Sequence, residues 1–224
     1  MNIDSKRLTL FAGHYGSGKT NIAVNYALYL AKEGKKVCIA DLDIVNPYFR
    51  TKDSERELEA AGIRLVSPQY ANSNVDLPAL PAESYRLVQD KTTYGIMDIG
   101  GDDRGAYALG RYAEAIKAED DYRMAFVVNC HRPLTSTVED AIEIMREIEA
   151  AAGLEFTCIV NNSNLGSETS AETVLSSLDF VHQLAEATKL PVWMHTAVTS
   201  VAQQLSGLTV LPMTLQKKHF DLPD

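Results

Sequence analysis

Positive charge is scarce in this sequence of 224 residues: 21 lysines and arginines stand against 30 aspartates and glutamates, a formal net charge of −9 at pH 7. That balance argues against a chain whose main task is to coat nucleic acid or an anionic membrane, since both are held through clustered positive charge. Cysteine is scarcer. The three thiols, Cys38, Cys130 and Cys158, are dispersed in separate apolar runs, and no CxxC pair occurs. This removes disulfide frameworks and the usual zinc and redox Cys pairs, and leaves the cysteines as reduced core residues of an intracellular protein. No stretch reaches the ~20 apolar residues of a membrane span. The first residues lack the apolar segment and small-residue cleavage site of a signal peptide. A cytoplasmic protein is expected. At 46% hydrophobic and 23% charged residues, a chain of this length buries a large core without disulfides or structural metals.

What is present is a repeated alternation of short apolar runs and amphipathic stretches. Strands are expected over residues 8–12, 37–40, 63–66, 94–99, 124–129, 156–161, 192–194 and 209–213. Helices are expected over 19–32, 54–61, 82–89, 104–117, 135–151, 171–188 and 198–205, with Ser54 and Thr135 as N-caps. Residues 67–81, with three prolines and several Asn and Ser, read as a long loop. The strands are almost entirely apolar, as when both faces of a parallel sheet are covered. No linker or repeat interrupts the rhythm. The expectation is one domain, residues 1–224, of α/β class: a doubly wound, mostly parallel sheet of seven or eight strands with helices on both faces. Such sheets bind ligands beyond the carboxyl ends of their strands, so the loops after the strands hold the functional candidates.

The first of these is Gly13-His14-Tyr15-Gly16-Ser17-Gly18-Lys19-Thr20. It matches GxxxxGK[ST] between a strand and a helix, the context a phosphate loop requires. Glycines let backbone N–H groups turn inward around an anion, and the helix N-terminus adds its positive end. Lys19 would reach the β- and γ-phosphates, and the Thr20 hydroxyl would ligate Mg²⁺. The second loop opens with Asp41 and Asp43 two residues apart, suited to holding metal-bound water and positioning an attacking water. The third opens with Asp98, in the Walker B position for Mg²⁺, followed by Gly100 and Gly101. Their backbone could sense a terminal phosphate as switch loops do. For the last two loops the competing reading is a solvated turn.

Those three loops, in that order, resemble the arrangement of the MinD/ParA-type, or SIMIBI-class, P-loop ATPases, a group that includes the CobQ/CobB nucleotide-binding domains, dethiobiotin synthetase and the nitrogenase iron protein. The resemblance spans nearly the whole chain. It implies a P-loop NTPase that binds ATP and Mg²⁺ and hydrolyses ATP. Asp43 would position the hydrolytic water, while Asp41 and Asp98 would contact the water shell of the metal. One departure stands out. Many members carry a second lysine directly after the first glycine of the loop, which reaches across a dimer; here that residue is His14. Either a protonated imidazole takes the role or His14 is a plain loop residue. Arg50 and Arg104 are candidate substitutes, against the alternative of solvated surface arginines.

Base choice is expected from the late loops. Asn161-Asn162-Ser163-Asn164 stands where GTPases place Asn-Lys-x-Asp, whose carboxylate accepts two guanine N–H bonds. Asn164 offers a single acceptor atom, so the sequence leans to adenine. By the resemblance Asn161 or Asn162 would meet the base edge; a turn role is the alternative. The loop from Asn129 to Thr135 also lies on the ligand side. Adjacent Cys130 and His131 point to opposite faces and do not form a catalytic pair. Arg132 would face phosphate or a partner.

Absences thin the possible roles within the group. Convergent cysteines for an iron–sulfur cluster are missing, as is a basic amphipathic helix over residues 215–224, and a glutaminase domain has no room. Two functions remain, beside a third reading as a nucleotide-binding module that hydrolyses almost nothing. One is a nucleotide-dependent switch for an unidentified protein partner, with a homodimer allowed. The other is an ATP-dependent small-molecule kinase or ligase resembling dethiobiotin synthetase, its substrate against residues 67–81.

Overall fold

The structure, a computed structural model, describes residues 3–42, 51–66, 82–101 and 103–215. The strands are β1 (Leu8–Ala12), β2 (Val37–Leu42), β3 (Arg64–Val66), β4 (Tyr94–Ile99), β5 (Tyr122–Val128), β6 (Cys158–Asn161), β7 (Val192–Val198) and β8 (Val210–Met213). Helices among the described residues are α1 (Lys19–Lys32), α2 (Glu55–Ala60), α3 (Ala82–Gln89), α4 (Asp103–Gly110), α5 (Ala113–Lys117), α6 (Val138–Ala152), α7 (Ala171–Ser176), α8 (Leu178–Thr188) and α9 (Thr199–Ala202).

All eight strands join one sheet in the order β3-β2-β4-β1-β5-β6-β7-β8, and every pairing is parallel. The expected doubly wound α/β sheet is the observed one. Its two faces follow from strand alternation. Leu8, Leu10, Met97, Met124, Phe126 and Ile159 point to one side and pack with apolar residues of α3, α4, α5, α6 and α8. Phe11, Ile39, Ile96, Ala125, Val127 and Val160 point to the other and pack on α1 and α2. From β1 the chain winds toward β3, and after β4 it crosses β1 and winds the other way. The reversal opens a crevice at the carboxyl end of β1.

Several boundaries differ from expectation. The expected helix over 104–117 is broken after Gly110, where the Tyr112 N–H turns back to the Leu109 carbonyl at 2.8 Å. The one over 171–188 breaks at Ser177, whose hydroxyl donates to the Val174 carbonyl (2.7 Å) and accepts from Asn161 (2.8 Å). The helix expected from 135 begins at Val138, with Thr137 accepting the capping bond from the Asp140 N–H. Thr135 instead donates its hydroxyl to the Asn129 carbonyl. Ser54 occupies the N-cap of α2 without a side-chain capping bond. The last helix shortens to four residues. Cys38 and Cys158 are buried in the core as expected, whereas Cys130 is half-buried. The loop expected over 67–81 lies outside the described residues. Among the described residues no helix is long and apolar enough to cross a membrane.

Candidate functional site

The crevice at the end of β1 is filled by residues 13–18, which turn from β1 into α1. The turn closes on itself: the Ser17 N–H and the Lys19 ammonium both donate to the His14 carbonyl, each at 3.1 Å. Lys19 and Thr20 are buried at the first turn of α1. Gly18 at the N-cap has no side chain to cap that turn, so its backbone N–H groups and the helix dipole face the crevice as an anion site.

Two contacts set the shape of this loop. Asn162, at the end of β6, donates its amide to the Ser17 carbonyl at 2.6 Å and accepts the Thr196 hydroxyl at 2.5 Å. Gly18 has φ +91°, and a Cβ there would lie 2.2 Å from the Asn162 amide nitrogen, so only glycine fits beneath this clamp. On the other flank, a Cβ on Gly101 would lie 2.6 Å from the Tyr15 nitrogen and 2.9 Å from Lys19 Nζ. The segment after β4 therefore rests directly on the phosphate loop.

Asp41 and Asp98 are register partners across β2 and β4. Ile39 and Ile96, two residues earlier, belong to the core on the α1 side, so alternation turns both carboxylates toward the N-terminal end of α1 and Thr20. Both are buried, and Asp98 accepts the Thr51 hydroxyl at 3.1 Å. Two carboxylates and a hydroxyl form a hard oxygen set that suits Mg²⁺ shared with a nucleotide. Among the described residues no group of three or more His, Cys, Asp or Glu converges to hold a metal ion. Asp43, Arg50 and Asp102 lie outside the described residues, as does the side chain of Arg104.

The two asparagines expected at a base edge are buried. Asn161 donates to Ser177 (2.8 Å) and His195 Nδ1 (3.1 Å) and accepts the Ser163 N–H (3.0 Å). Its amide nitrogen faces His195, so Nδ1 of that ring accepts and the proton sits on Nε2. Burial, and then the neighbouring His182, push the His195 pKa down and keep the ring neutral. A base contact from Asn161 or Asn162 would require breaking these bonds. Asn164 turns back on its own loop, donating to the Asn162 carbonyl (2.7 Å) and accepting from the Gly166 N–H (3.1 Å). His14 also folds back, with Nδ1 2.8 Å from the Tyr15 carbonyl.

Comparison with known proteins follows this geometry. The family described as the CobQ/CobB/MinD/ParA nucleotide binding domain matches residues 8–172, a span that holds the phosphate loop, Asp41, Asp98 and the Asn161–Asn162 clamp. The chain belongs to that family. No curated protein matches it. Among solved structures, the cell division protein FtsY from Thermotoga maritima superposes with a TM-score of 0.59 at 16% identity, covering 85% of this chain and 61% of that one. Chloroplast FtsY from Physcomitrella patens gives 0.58 at 16%, covering 87% and 59%. The signal recognition particle 54 kDa protein from Aeropyrum pernix, in complex with GDP, gives 0.54 at 18%, covering 87% and 42%. The chain thus spans less than two thirds of each, and the likeness is one of fold alone, an α/β fold of P-loop NTPase kind.

Within this CobQ/CobB/MinD/ParA domain, the Thr51 contact to Asp98 carried no signal in the sequence, whereas Gly101 was expected near a terminal phosphate and its seat on Tyr15 and Lys19 was not. Each joins segments that only the sheet order brings together. The Gly101 contact carries a prediction. Gly101→Ala should lower affinity for a non-hydrolysable ATP analogue about ten-fold, because the added methyl has to displace backbone rather than a side-chain tip. Calorimetric titration checks it; wild-type affinity in the variant would show that the two loops separate without cost.

Proposed function

We propose that this chain is a cytoplasmic, Mg²⁺-dependent ATPase, a single nucleotide-binding domain over residues 1–224 that acts as a nucleotide-dependent switch for a protein partner. The observation that carries the reading is the seat of Gly101 against Tyr15 and Lys19. A terminal phosphate drawn to the Lys19 ammonium arrives where the segment after β4 already touches the loop. That segment leads straight into α4, where Gly105 packs on Gly100 and Tyr107 is 66% exposed. A shift of the loop on phosphate binding is thereby handed to a surface helix, the order of events in nucleotide switches.

The roles follow from chemistry. Residues Gly13, His14, Tyr15, Gly16, Ser17 and Gly18 cradle the phosphates through backbone N–H groups. Lys19 neutralises the β- and γ-oxygens, and Asn162 holds the cradle in shape. Thr20, Asp41 and Asp98 would hold the metal, which when bound with nucleotide neutralises charge on the transferring phosphate. Asp43 orients the attacking water. Adenine over guanine is supported by Asn164, whose amide cannot accept the paired N–H groups of guanine as a carboxylate does.

The test compares ATP and GTP in competition titrations, with light scattering in the nucleotide-free, ADP and non-hydrolysable ATP states. ATP should win by at least about ten-fold, and Asp43→Asn should retain binding while slowing hydrolysis about a hundred-fold. Preference for GTP would overturn the base assignment. Hydrolysis stimulated by a small molecule and by no protein would favour a kinase or ligase over a switch.

A further inference from the structure

After β5 the chain turns sharply and delivers Arg132 to the apex of the phosphate loop. A Cβ built on Gly16 would lie 3.9 Å from Arg132 Nε and 4.0 Å from its Cζ, so the guanidinium runs alongside the fourth residue of the loop. The support beneath it is buried and polar. The carbonyl of fully buried Asn129 accepts both the Arg132 N–H (3.1 Å) and the Thr135 hydroxyl (2.7 Å). The Asn129 side chain accepts the His131 N–H at 3.0 Å and donates to the Asn164 carbonyl at 3.2 Å. The Thr135 N–H closes the turn on the Arg132 carbonyl at 3.0 Å. Arg132 itself is extended, with φ −96° and ψ 135°, and Pro133 follows. Its backbone is fixed while its side chain is exposed.

The electrostatics of this placement suit an anion. Among the described residues no carboxylate forms an ion pair with Arg132. The loop it runs along, beside Gly16, is the one that carries Lys19 and opens the positive end of α1, so three sources of like potential belong to one crevice. Such an arrangement is complementary to a polyanion, and guanidinium pairs with phosphate oxygens through a planar fork that a lone ammonium lacks. We propose that Arg132 is a contact to the phosphate chain of the bound nucleotide, made within the same molecule and adding a second fixed positive charge to that of Lys19. The proposal rests on the reading of the crevice as a nucleoside polyphosphate site.

The experiment titrates ADP and a non-hydrolysable ATP analogue, with Mg²⁺, into wild type, Arg132→Ala, Arg132→Gln, Arg132→Lys and Lys19→Ala, and records the melting temperature of each without nucleotide. Loss of a charge-assisted phosphate contact should weaken binding of the ATP analogue about ten-fold or more in the Ala and Gln variants. Their nucleotide-free melting temperature should stay at the wild-type value, because the side chain is exposed. Arg132→Lys should bind more tightly than Arg132→Gln, which a packing role would not produce. A smaller loss than ten-fold, or equal loss in the Lys and Gln variants, overturns the proposal while Lys19→Ala still reports on the loop. If wild type binds neither nucleotide, the reading of the crevice falls and this assignment with it.

Discussion

Replacing Lys19 by alanine should reduce ATP hydrolysis at least about a hundred-fold and remove the shift in melting temperature that ATP gives the wild type. The magnitude is that of one preorganised charged donor aimed at the phosphates in a crevice shielded from water. The structure gives the substitution a clean signature. Lys19 is only 5% exposed, and its ammonium donates to the His14 carbonyl. Any ligand that binds only the folded state raises stability by RT ln(1 + [L]/Kd), and this increment should vanish in the variant. Thermal melts with and without ATP–Mg, beside a hydrolysis assay, give both readouts. An intact ATP-induced shift together with wild-type turnover would remove Lys19 from the site.

The largest effect on folding is expected at the opposite end of the sheet. Arg7, just before β1, is buried at 7% exposure. Its guanidinium donates to the carbonyls of Leu87, Val88, Asp90 and Thr93 and to the Glu119 carboxylate. One side chain thus closes the carboxyl end of α3, the turn into β4 and the segment after α5. Arg7→Met keeps the volume and strands these acceptors, so it should cost about 3–5 kcal/mol, the range for removing one member of a buried pair. For a chain of this size that corresponds to a fall in Tm of roughly 10 °C.

The same network sets a pH dependence. Burial raises the Glu119 pKa, but hydrogen bonds and charge from Arg7 and Lys91 outweigh it and hold the carboxyl below its ordinary value. A depressed carboxyl contributes stability above its unfolded pKa, near ~4.3, and loses it as pH falls through the lower folded value. The gap between wild type and Arg7→Met should therefore be widest near neutral pH and narrow below about pH 4. Arg7→Met combined with Glu119→Leu should recover part of the loss. A single variant that costs less than about 1 kcal/mol at pH 7 would show that water replaces the guanidinium at these carbonyls.

Much of this molecule is local and was readable as such. The phosphate loop, the apolar runs that become β1, β2 and β5, and the aspartates that end β2 and β4 are each specified within about ten residues by glycine, apolar alternation and a carboxylate at a strand end. The helices were read less well where a tertiary contact overrides local preference. Ser177 interrupts an otherwise periodic stretch because its hydroxyl is drawn to Asn161 on β6. Thr135 gives up capping because Asn129 holds it.

The amino-acid sequence by itself determined the class of fold, the phosphate loop and the place of Asp41 and of Asp98 each at the end of its own strand, since each depends on the spacing of neighbours along one chain; their meeting came from β2–β4 register. Only the tertiary structure decided what surrounds them. The strand order set β4 and β5 on either side of β1, so Gly101 bears on Tyr15 and Arg132 meets Gly16. The pairing of β5 with β6 and β6 with β7 brought Asn162 to Ser17, 145 residues away. Those contacts come from register between strands distant in sequence, which depends on how whole apolar faces pack and which no short motif encodes.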